Sequence, residues 1–280
     1  MLILVFDYDF ISEAEIEDIT TMADQIVKAR NFKSLHIKNN PLILYNIWDA
    51  GTAEIVADAG AKAIATGSWA VAKANGKSDG EKLPIETAMN NLKLIVDVVD
   101  LPVSIDIEGG YGSNPQQVAD TVVRAIASGA VGINLEDQII GANALYEIDN
   151  QVARLAAVRK AIDTTKIPAF INARTDIFLQ ASPDAQTDLL LNKAIERAKA
   201  YHQAGADGFF VPGLIDKAAI KTLCEISPLP INIMVIPNCP SRTSLAELGV
   251  ARISYGPSPY QETMNIFAVG AKAIYSSDNS

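Results

Sequence analysis

Short apolar runs alternate with longer amphipathic segments along most of this chain. The runs span four to six residues and end at polar or glycine positions, which predicts buried strands, whereas the longer segments have the apolar spacing of helices. The predicted strands are residues 42–47, 61–66, 103–107, 131–135, 169–173, 208–211, 230–235 and 251–255. The helices predicted to follow them, one after each strand, are residues 52–59, 84–99, 115–128, 150–162, 184–203, 216–226, 241–248 and 258–274. Eight such units are typical of a (β/α)8 TIM-type barrel.

The whole chain, residues 1–280, is predicted to form a single barrel domain with an extra N-terminal helix. Residues 41–275 hold the eight units, and residues 1–40 hold the extension and the helix. That helix is predicted to begin at its capping residue Ser12 and to run to about Ala29. Residues 2–6 are apolar enough for a short strand or a packed extension. The alternative, an open doubly wound sheet, would need a G-x-G-x-x-G turn after its first strand, and residues 45–51 do not supply one.

The composition of the chain argues against nucleic-acid and membrane partners. The chain has 23 basic and 33 acidic residues, for a net charge of -10, and shows no basic cluster of the kind that binds nucleic acid. No apolar stretch reaches the roughly 20 residues of a transmembrane helix, and the first residues lack the pattern of a signal peptide. Cys224 and Cys239 have neither metal-binding nor redox spacing. We therefore expect a cytoplasmic protein without disulfides, and neither nucleic-acid nor membrane partners.

Two acids stand at the end of the third predicted strand. Asp106 and Glu108 are two residues apart, so in a strand both side chains lie on one face. Three glycines, Gly109, Gly110 and Gly112, turn the chain just after them. Barrel enzymes keep their active sites at the carboxyl ends of the strands, and hard oxygen ligands suit Mg²⁺ or Mn²⁺, so this pair indicates a metal site. The alternative is an exposed strand end with solvated acids.

The ends of the other strands carry further polar and small residues. Arg174 follows the fifth strand, where its guanidinium can bind a carboxylate through two parallel hydrogen bonds. Gly67 and Ser68 follow the second strand, and their small size would let backbone N–H groups approach an anion. The other strand-end residues are Asn46, Trp48, Asp49, Thr66, Asp79, Glu136, Asp137, Asn232, Asn238 and Gly256. Several acids around one arginine predict a site for a metal and a carboxylate.

Five of these stretches together resemble the isocitrate lyase/phosphoenolpyruvate mutase superfamily. They are NIWDA at residues 46–50, ATGS at 65–68, DIEGGYG at 106–112, LED at 135–137 and NARTD at 172–176. The resemblance extends from about Phe32 to the C-terminus. It implies a Mg²⁺- or Mn²⁺-dependent enzyme that binds a small 2-oxo or 2-hydroxy acid. Such an enzyme breaks or forms the adjacent C–C bond through a metal-stabilised enolate, as a lyase or a decarboxylase.

The resemblance also implies roles for individual residues. Asp106 would bind the metal directly, and Glu108, Glu136 and Asp79 would hold it through water. Glu108 stands where the family usually has a second Asp. The residues implied to be catalytic are Asp79, Glu108, Glu136 and Arg174. Those implied to contact the substrate are Trp48, Thr66, Gly67, Ser68, Asn143, Arg174 and Asn232. The same sequence evidence is equally compatible with Trp48 as a plug of the barrel mouth.

The chain departs from the family in the loop after the fourth strand. Isocitrate and methylisocitrate lyases carry Lys-x-Cys-Gly-His there, and the Cys handles a proton, whereas residues 138–146 contain no Cys, His or Lys. We therefore expect neither of those reactions. One alternative is P–C bond chemistry of the phosphonopyruvate hydrolase or phosphoenolpyruvate mutase type, with Asn143 at the position of a family Asn. Another is a non-catalytic protein that binds 2-oxo acids. In an enzyme, loop 138–147 would close over the substrate.

The resemblance finally implies a homo-oligomer, either a dimer or a tetramer built from dimers that exchange the last barrel helix. The candidate is the helix at residues 258–274, which is rich in apolar residues and alanine. An ordinary eighth helix packed on its own barrel would show the same pattern. The Glu or His that the family has after the sixth strand is replaced by Pro212 and Gly213.

Overall fold

The computed structural model describes residues 13–181 and 187–276, and within them eight strands form a parallel barrel. The strands are β1 (Leu42–Leu44), β2 (Ile64–Ala65), β3 (Val103–Asp106), β4 (Gly132–Glu136), β5 (Phe170–Arg174), β6 (Gly208–Phe210), β7 (Ile231–Met234) and β8 (Arg252–Ser254). Neighbours in the chain pair in parallel from β2 to β8, and β8 returns to pair with β1. A bridge between Ile47 and Thr66 brings the end of β1 next to β2. The predicted (β/α)8 fold is confirmed.

The helices surround this barrel. They are α1 (Glu13–Ser34), α2 (Ala50–Asp58), α3 (Ser68–Ala74), α4 (Ile85–Val98), α5 (Pro115–Ala127), α6 (Ile148–Thr165), α7 (Thr187–Gln203), α8 (Lys217–Ile226), α9 (Arg242–Glu247) and α10 (Ser258–Ser276). The predicted strand at residues 2–6, the Ser12 cap and the predicted start of α7 lie outside the described residues. None of the helices in the described ranges has an apolar stretch sufficient to cross a bilayer.

Two helices differ from the sequence prediction. Helix α3 was not predicted, because seven residues are too few to show a helical period. It forms because Ala70, Val71 and Ala72 are buried in a small apolar cluster with Trp48 and Leu83. Helix α1 was predicted to end near residue 29 but continues to residue 34. The extra turn places a buried phenylalanine against the barrel.

That phenylalanine, Phe32, closes the amino end of the barrel. It is fully buried, and its ring lies so close to Gly132 at the start of β4 that a Cβ there would come within 2.6 Å of it. It packs edge-to-face on Phe170 at the start of β5, with ring centroids 5.6 Å apart. The His36 ring stacks on Phe170 at 4.1 Å. Helix α1 is therefore part of the barrel core.

A layer of polar side chains crosses the barrel interior above Phe32. The Asn172 amide donates to the Oδ1 atoms of Asn134 at 2.8 Å and of Asn232 at 3.0 Å, which joins β5 to β4 and β7. Arg252, also buried, reaches Asn134 from β8 at 3.4 Å. Buried amides that bond to one another satisfy their polar groups and hold the strands in register. The candidate functional residues lie next to this layer, on the side of the carboxyl ends of the strands.

Helix α10 is the least buried of the barrel helices. Its apolar side chains Ile266, Phe267, Val269, Ile274 and Tyr275 are 68–79% exposed. The sequence pattern fitted either an eighth helix on its own barrel or an exchanged one. In the structure these five side chains do not pack on the barrel of their own chain.

Candidate active site

Asp106 ends β3 and is held by residues of the neighbouring strand end. Its Oδ2 accepts a hydrogen bond from the Ser68 hydroxyl at 2.9 Å, and its Oδ1 accepts from the backbone N–H of Glu108 at 3.2 Å. The backbone N–H of Asp106 donates to the Thr66 hydroxyl at 3.0 Å. Thr66 and Ser68, expected from the family resemblance to contact the substrate, thus fix the position of this carboxylate.

Glu108 turns away from Asp106 and ties a second loop to β3. Its Oε2 accepts from the backbone N–H groups of Gly80 and Glu81, both at 2.7 Å. The Glu81 carboxylate in turn accepts from the backbone N–H of Tyr111 at 2.7 Å. Burial, together with the charges of Asp79 and Asp106, raises the pKa of Glu108 to about 7 although the two N–H groups oppose the shift. Glu108 thereby keeps the loop that carries Asp79 beside Asp106.

Arg174 ends β5 and is oriented by two carboxylates. Its Nε and Nη2 atoms bind Asp176 at 2.6 and 2.9 Å, and its Nη1 lies 3.1 Å from Glu136 at the end of β4. Burial disfavours the charge of Arg174, but Glu136 and Asp176 outweigh burial and hold the pKa of the guanidinium above its ordinary value. These contacts use three of its five N–H groups. Two N–H groups remain for a ligand.

Two buried arginines that the sequence analysis missed hold the loops around the site. Arg197 of α7 donates to the Asp137 carboxylate at 3.1 Å and to the carbonyl of Tyr146 at 3.0 Å. Arg154 of α6 donates to the carbonyls of Gly109 and Gly112, and it lies 4.3 Å over the Tyr146 ring. Their sequence signal was a basic residue on the buried face of an amphipathic helix, a place normally left to apolar side chains.

A cavity of about 260 Å³ opens at the carboxyl end of the barrel. Of the residues expected to form the site, it brings together Gly67, Ser68, Asp79, Asp106 and Arg174. Thr66 and Glu108 line a narrower adjoining pocket that shares Ser68 and Asp106 with it. Glu136 stands behind Arg174 and is almost fully buried.

Besides Thr66, three expected substrate contacts do not line this cavity. The Trp48 ring is buried against Tyr260, and Trp69 lines the cavity instead. The Asn232 side chain is buried in the polar layer, where it donates to Ser254 at 2.7 Å. Asn143 is exposed in the loop after β4. Sequence position places a residue near a strand end, but the direction of its side chain depends on the packing around it.

The backbone N–H groups of Gly67 and Ser68, which were expected to bind an anion, point at protein atoms instead. The Gly67 N–H donates to the carbonyl of Ile47 at 3.1 Å, and the Ser68 N–H points at Asp106 with a 3.4 Å separation. Both amides therefore have partners within the protein. Arg174 is the cation that lines the cavity.

The acids fit a hydrated cation better than a cage of direct ligands. Over residues 13–181 and 187–276, no three His, Cys, Asp or Glu side chains converge on one point as a metal site. Glu108 and Glu136, expected among the metal-holding acids, are engaged with backbone N–H groups and with Arg174. Asp106 lines the cavity, and burial together with the Asp106 charge raises the pKa of nearby Asp79. Mg²⁺ commonly keeps several waters and takes one or two carboxylates, which suits this arrangement.

The cavity also has an apolar side that the sequence analysis did not anticipate. Leu179, Phe210, Met234 and Pro257 line it, opposite the acids. Three of them lie at or beyond the ends of β6, β7 and β8, where an apolar residue in the sequence is indistinguishable from core.

Comparisons with known proteins agree with this geometry. The family model described as phosphoenolpyruvate phosphomutase matches residues 32–275. A crystal structure of a candidate phosphonomutase from Burkholderia cenocepacia is 47% identical, covers 89% of this chain and 99% of its own, and superimposes with a TM-score of 0.87. The 2-methylisocitrate lyase of Escherichia coli is 32% identical over 203 residues, 71% of this chain and 67% of the lyase.

More distant proteins also match this chain. A phosphonopyruvate hydrolase solved with oxalate and Mg²⁺ shares the fold at a TM-score of 0.77 and 20% identity, covering 91% of this chain and 87% of its own. Oxaloacetate decarboxylases from Pseudomonas species also match. The named relatives are thus a 2-methylisocitrate lyase and oxaloacetate decarboxylases, and a phosphonopyruvate hydrolase shares the fold.

Proposed function

This chain belongs to the isocitrate lyase/phosphoenolpyruvate mutase superfamily, and from that premise we propose that it is a Mg²⁺-dependent enzyme that cleaves or forms the C–C bond next to the carbonyl of a small 2-oxo or 2-hydroxy acid. The observation that carries the proposal is a single cavity lined by both Asp106 and Arg174. A carboxylate that faces a metal and an arginine that faces an anion are the two groups needed to hold a 2-oxo acid.

Arg174 binds the substrate carboxylate in this proposal. Its two remaining N–H groups have a fixed direction, because Asp176 and Glu136 hold the other three. Orienting the guanidinium before the substrate arrives reduces the entropy lost on binding. The bidentate contact to Asp176 also keeps the planar group from rotating.

Asp106 would hold the cation, with Asp79 close enough to act through water. A divalent cation bound there would supply a Lewis acid for the charge that develops on the substrate oxygen. The Ser68 hydroxyl and the Glu108 N–H fix both carboxylate oxygens of Asp106. Glu108 contributes by keeping the loop of Asp79 in place rather than by touching the substrate.

The loop after β4 offers no proton donor to the cavity. Residues 138 and 145 pair as an isolated bridge, and the Ile140 side chain packs against Gly109. The ring of Tyr146, the one phenol of this loop, lies against Arg154. A reaction in which solvent protonates the released enolate fits this site, as in decarboxylation or in cleavage without a cysteine acid. The alternatives remain P–C bond chemistry and binding without turnover.

The test measures the equilibrium binding of oxalate with and without Mg²⁺, followed by turnover of a panel of 2-oxo acids, 2-hydroxy acids and phosphonopyruvate. We expect Mg²⁺-dependent oxalate binding that Asp106→Asn abolishes and that Asp163→Asn, an exposed acid on α6, leaves intact. Oxalate binding that needs neither Mg²⁺ nor Asp106 would contradict the proposal. Cleavage of phosphonopyruvate alone would favour P–C chemistry, and binding without turnover of any acid would favour a binding protein.

We also propose that the protein is a homo-oligomer in which α10 packs on a second copy. The apolar side chains of α10 are exposed on their own chain. A cavity of about 620 Å³ lies beside β1 and α2, lined by Leu42, Ile43, Val56 and Arg242 among others. In a closed barrel a helix after β8 would cover this side, so the groove and the exposed helix are complementary.

A further inference from the structure

The cavity at the carboxyl end of the barrel is divided into a charged half and an apolar half. Asp106 and Arg174, at the ends of β3 and β5, line the charged half together with Asp79 from the loop after α3. Phe210 and Met234, at the ends of β6 and β7, belong to the apolar half. Leu179 and Pro257 complete that half from the loops after β5 and β8. A small acid bound between Asp106 and Arg174 would therefore direct its far end at apolar side chains.

The apolar half offers a second carboxylate no positive charge. Its polar neighbours on the cavity wall, Ser254 and Asn46, are neutral and already bonded: Ser254 Oγ accepts from Asn232 at 2.7 Å, and Asn46 donates to the carbonyl of Thr66 at 3.0 Å. The backbone N–H groups along it already have partners: Val211 donates to Asn232, Val235 to Ser254 and Gly256 to Asn46. Pro257 has no N–H to donate. A carboxylate placed there would lose water and gain at most neutral hydrogen bonds, such as one from the Ser254 hydroxyl, with no cation to balance its charge, which is unfavourable.

The cations near the cavity are committed elsewhere. Arg174 lines the cavity but already faces Asp176 and Glu136, and its free N–H groups serve the first carboxylate. Its guanidinium carbon also lies over the Phe210 ring, 5.7 Å from the centroid, at the border between the two halves. Arg252 is buried in the polar layer beneath the cavity and reaches Asn134 rather than the apolar half.

Leu179 and Met234 are accessible side chains of the apolar half, whereas Phe210 is only 4% exposed. Leu179 is 44% exposed although it lines the cavity, and Met234 is only partly buried. The sulfur of Met234 lies against Gly256, where a Cβ would come within 2.5 Å of it, so the thioether is pressed along the cavity edge. Contact with an alkyl group would remove these surfaces from water, which is favourable in proportion to the area covered.

From these four observations we infer that the substrate carries one carboxylate and, beyond the scissile bond, a hydroxyl-bearing carbon whose uncharged alkyl group is seated on Leu179, Phe210, Met234 and Pro257. When the C–C bond breaks, its electron pair passes to the enolate and the hydroxyl proton passes to water, so that carbon leaves as an aldehyde or ketone. This inference rests on the proposed function, specifies its substrate class and selects aldol-type cleavage over decarboxylation, which would release a second carboxylate. Dicarboxylic acids such as malate are bound more weakly than alkyl acids of the same shape. An alkyl group that fills an apolar pocket improves affinity by roughly 10- to 200-fold.

The test compares two stable acids of nearly equal shape in the presence of Mg²⁺: (S)-malate and (S)-2-hydroxy-4-methylpentanoate, which carries an isopropyl group where malate has its second carboxylate. Dissociation constants are measured by calorimetry, with oxalate as the reference ligand that needs only the charged half. We expect the alkyl acid to bind at least about tenfold more tightly than malate.

Three variants assign the preference to the apolar half. Met234→Lys and Leu179→Lys each place a cation there and are expected to reduce the preference at least about tenfold by strengthening malate binding. Met22→Lys, the same change on the exposed surface of α1, is the matched control and leaves the preference unchanged. Thermal unfolding checks that each variant is folded, and the exposed loop position of Leu179 keeps the test valid if Met234→Lys unfolds.

The possible results of these binding measurements separate the inference from the proposed function. Equal or tighter binding of malate, with oxalate bound normally, overturns this inference and leaves the proposed function standing. A preference for the alkyl acid that survives both lysine variants overturns its assignment to this half of the cavity. Failure of oxalate to bind with Mg²⁺ overturns the proposed function and this inference together.

Discussion

Arg174 and Asp176 form a bidentate ion pair two residues apart, with Nε–Oδ1 and Nη2–Oδ2 separations of 2.6 and 2.9 Å. The pair fixes the plane of the guanidinium at the end of β5. A lysine cannot reproduce two parallel hydrogen bonds, because its ammonium group is a single point of charge. The value of Arg174 thus lies in its direction as much as in its charge.

We therefore predict that Arg174→Lys weakens oxalate binding by roughly 10- to 100-fold, the range expected for a lost charge-assisted hydrogen bond. Asp176→Asn is expected to cause a smaller loss, since the arginine stays charged but is held less firmly. Calorimetric titration with Mg²⁺ measures both. Arg30→Lys, an exposed arginine on α1, serves as the control. Wild-type affinity in Arg174→Lys would contradict this role.

His36 makes stability depend on pH. Burial, helped by the charge of Arg252, lowers the pKa of His36 from 6.5 to about 3. Between those pH values the unfolded chain binds a proton that the folded chain does not, so folding stability falls as the pH is lowered from 6.5 towards 3. Above pH 6.5 His36 is neutral in both the folded and the unfolded chain, so its effect on folding stability is most favourable there. The slope from one such group is at most about 1.4 kcal/mol per pH unit.

Urea unfolding at several pH values between 4 and 7 measures this slope. His36→Gln removes the titrating ring but can still donate to the Phe32 carbonyl, which the His36 ring contacts at 2.8 Å. We expect the free energy of unfolding to depend less steeply on pH in His36→Gln than in the wild type. His202→Gln, which changes the other histidine of the chain, is expected to keep the wild-type pH dependence. Identical slopes in wild type and His36→Gln would refute the assignment.

Helix α10 is predicted to hold the oligomer together. Phe267→Asp combined with Val269→Asp places two charges on its exposed apolar surface, and we expect the assembly to dissociate into smaller species in light scattering. Leu94→Asp, at an exposed apolar position on α4, is the matched control and is expected to leave the assembly intact. A wild-type protein that is monomeric at micromolar concentration would contradict the predicted oligomer.

The protein is predicted not to be an isocitrate or methylisocitrate lyase, although it is 32% identical to a 2-methylisocitrate lyase. The cysteine that handles a proton in those enzymes has no counterpart in residues 138–146. The Tyr146 ring is held by Arg154, 4.3 Å away. Loss of a general acid typically lowers the rate by about 10²- to 10⁴-fold. Cleavage of either substrate with a kcat/KM of about 10⁴ M⁻¹s⁻¹ or more would sink this prediction.

The barrel could be predicted because its signal is local and repeated. Each strand is a short apolar run that ends at a polar or glycine position, and each helix shows its own period. Departures occurred where the signal was short or depended on remote contacts. Helix α3 has seven residues, and the last turn of α1 exists because Phe32 fills the amino end of the barrel.

The polar half of the candidate site was predictable for the same reason. The carboxyl ends of parallel strands meet at one end of a barrel, so Asp106 and Arg174 had to approach each other wherever the intervening helices lay. Their partners were not predictable. Glu108 accepts hydrogen bonds from the backbone N–H groups of residues 80 and 81, and the Gly67 N–H donates to the carbonyl of Ile47. Each polar group pairs with the donor or acceptor that the folded chain brings nearest to it.

The amino-acid sequence by itself determined the strand order, the position of the acids and the absence of a proton-handling cysteine in the loop after β4. Only the tertiary structure decided which side chains face the cavity. Trp48 and Asn232 turn into buried clusters, whereas Phe210 and Met234 turn towards the ligand space. Tertiary structure also left α10 exposed, which its apolar pattern did not reveal. The physical reason is that periodicity records whether a residue avoids water, whereas the surface that shields it is set by segments distant in the chain.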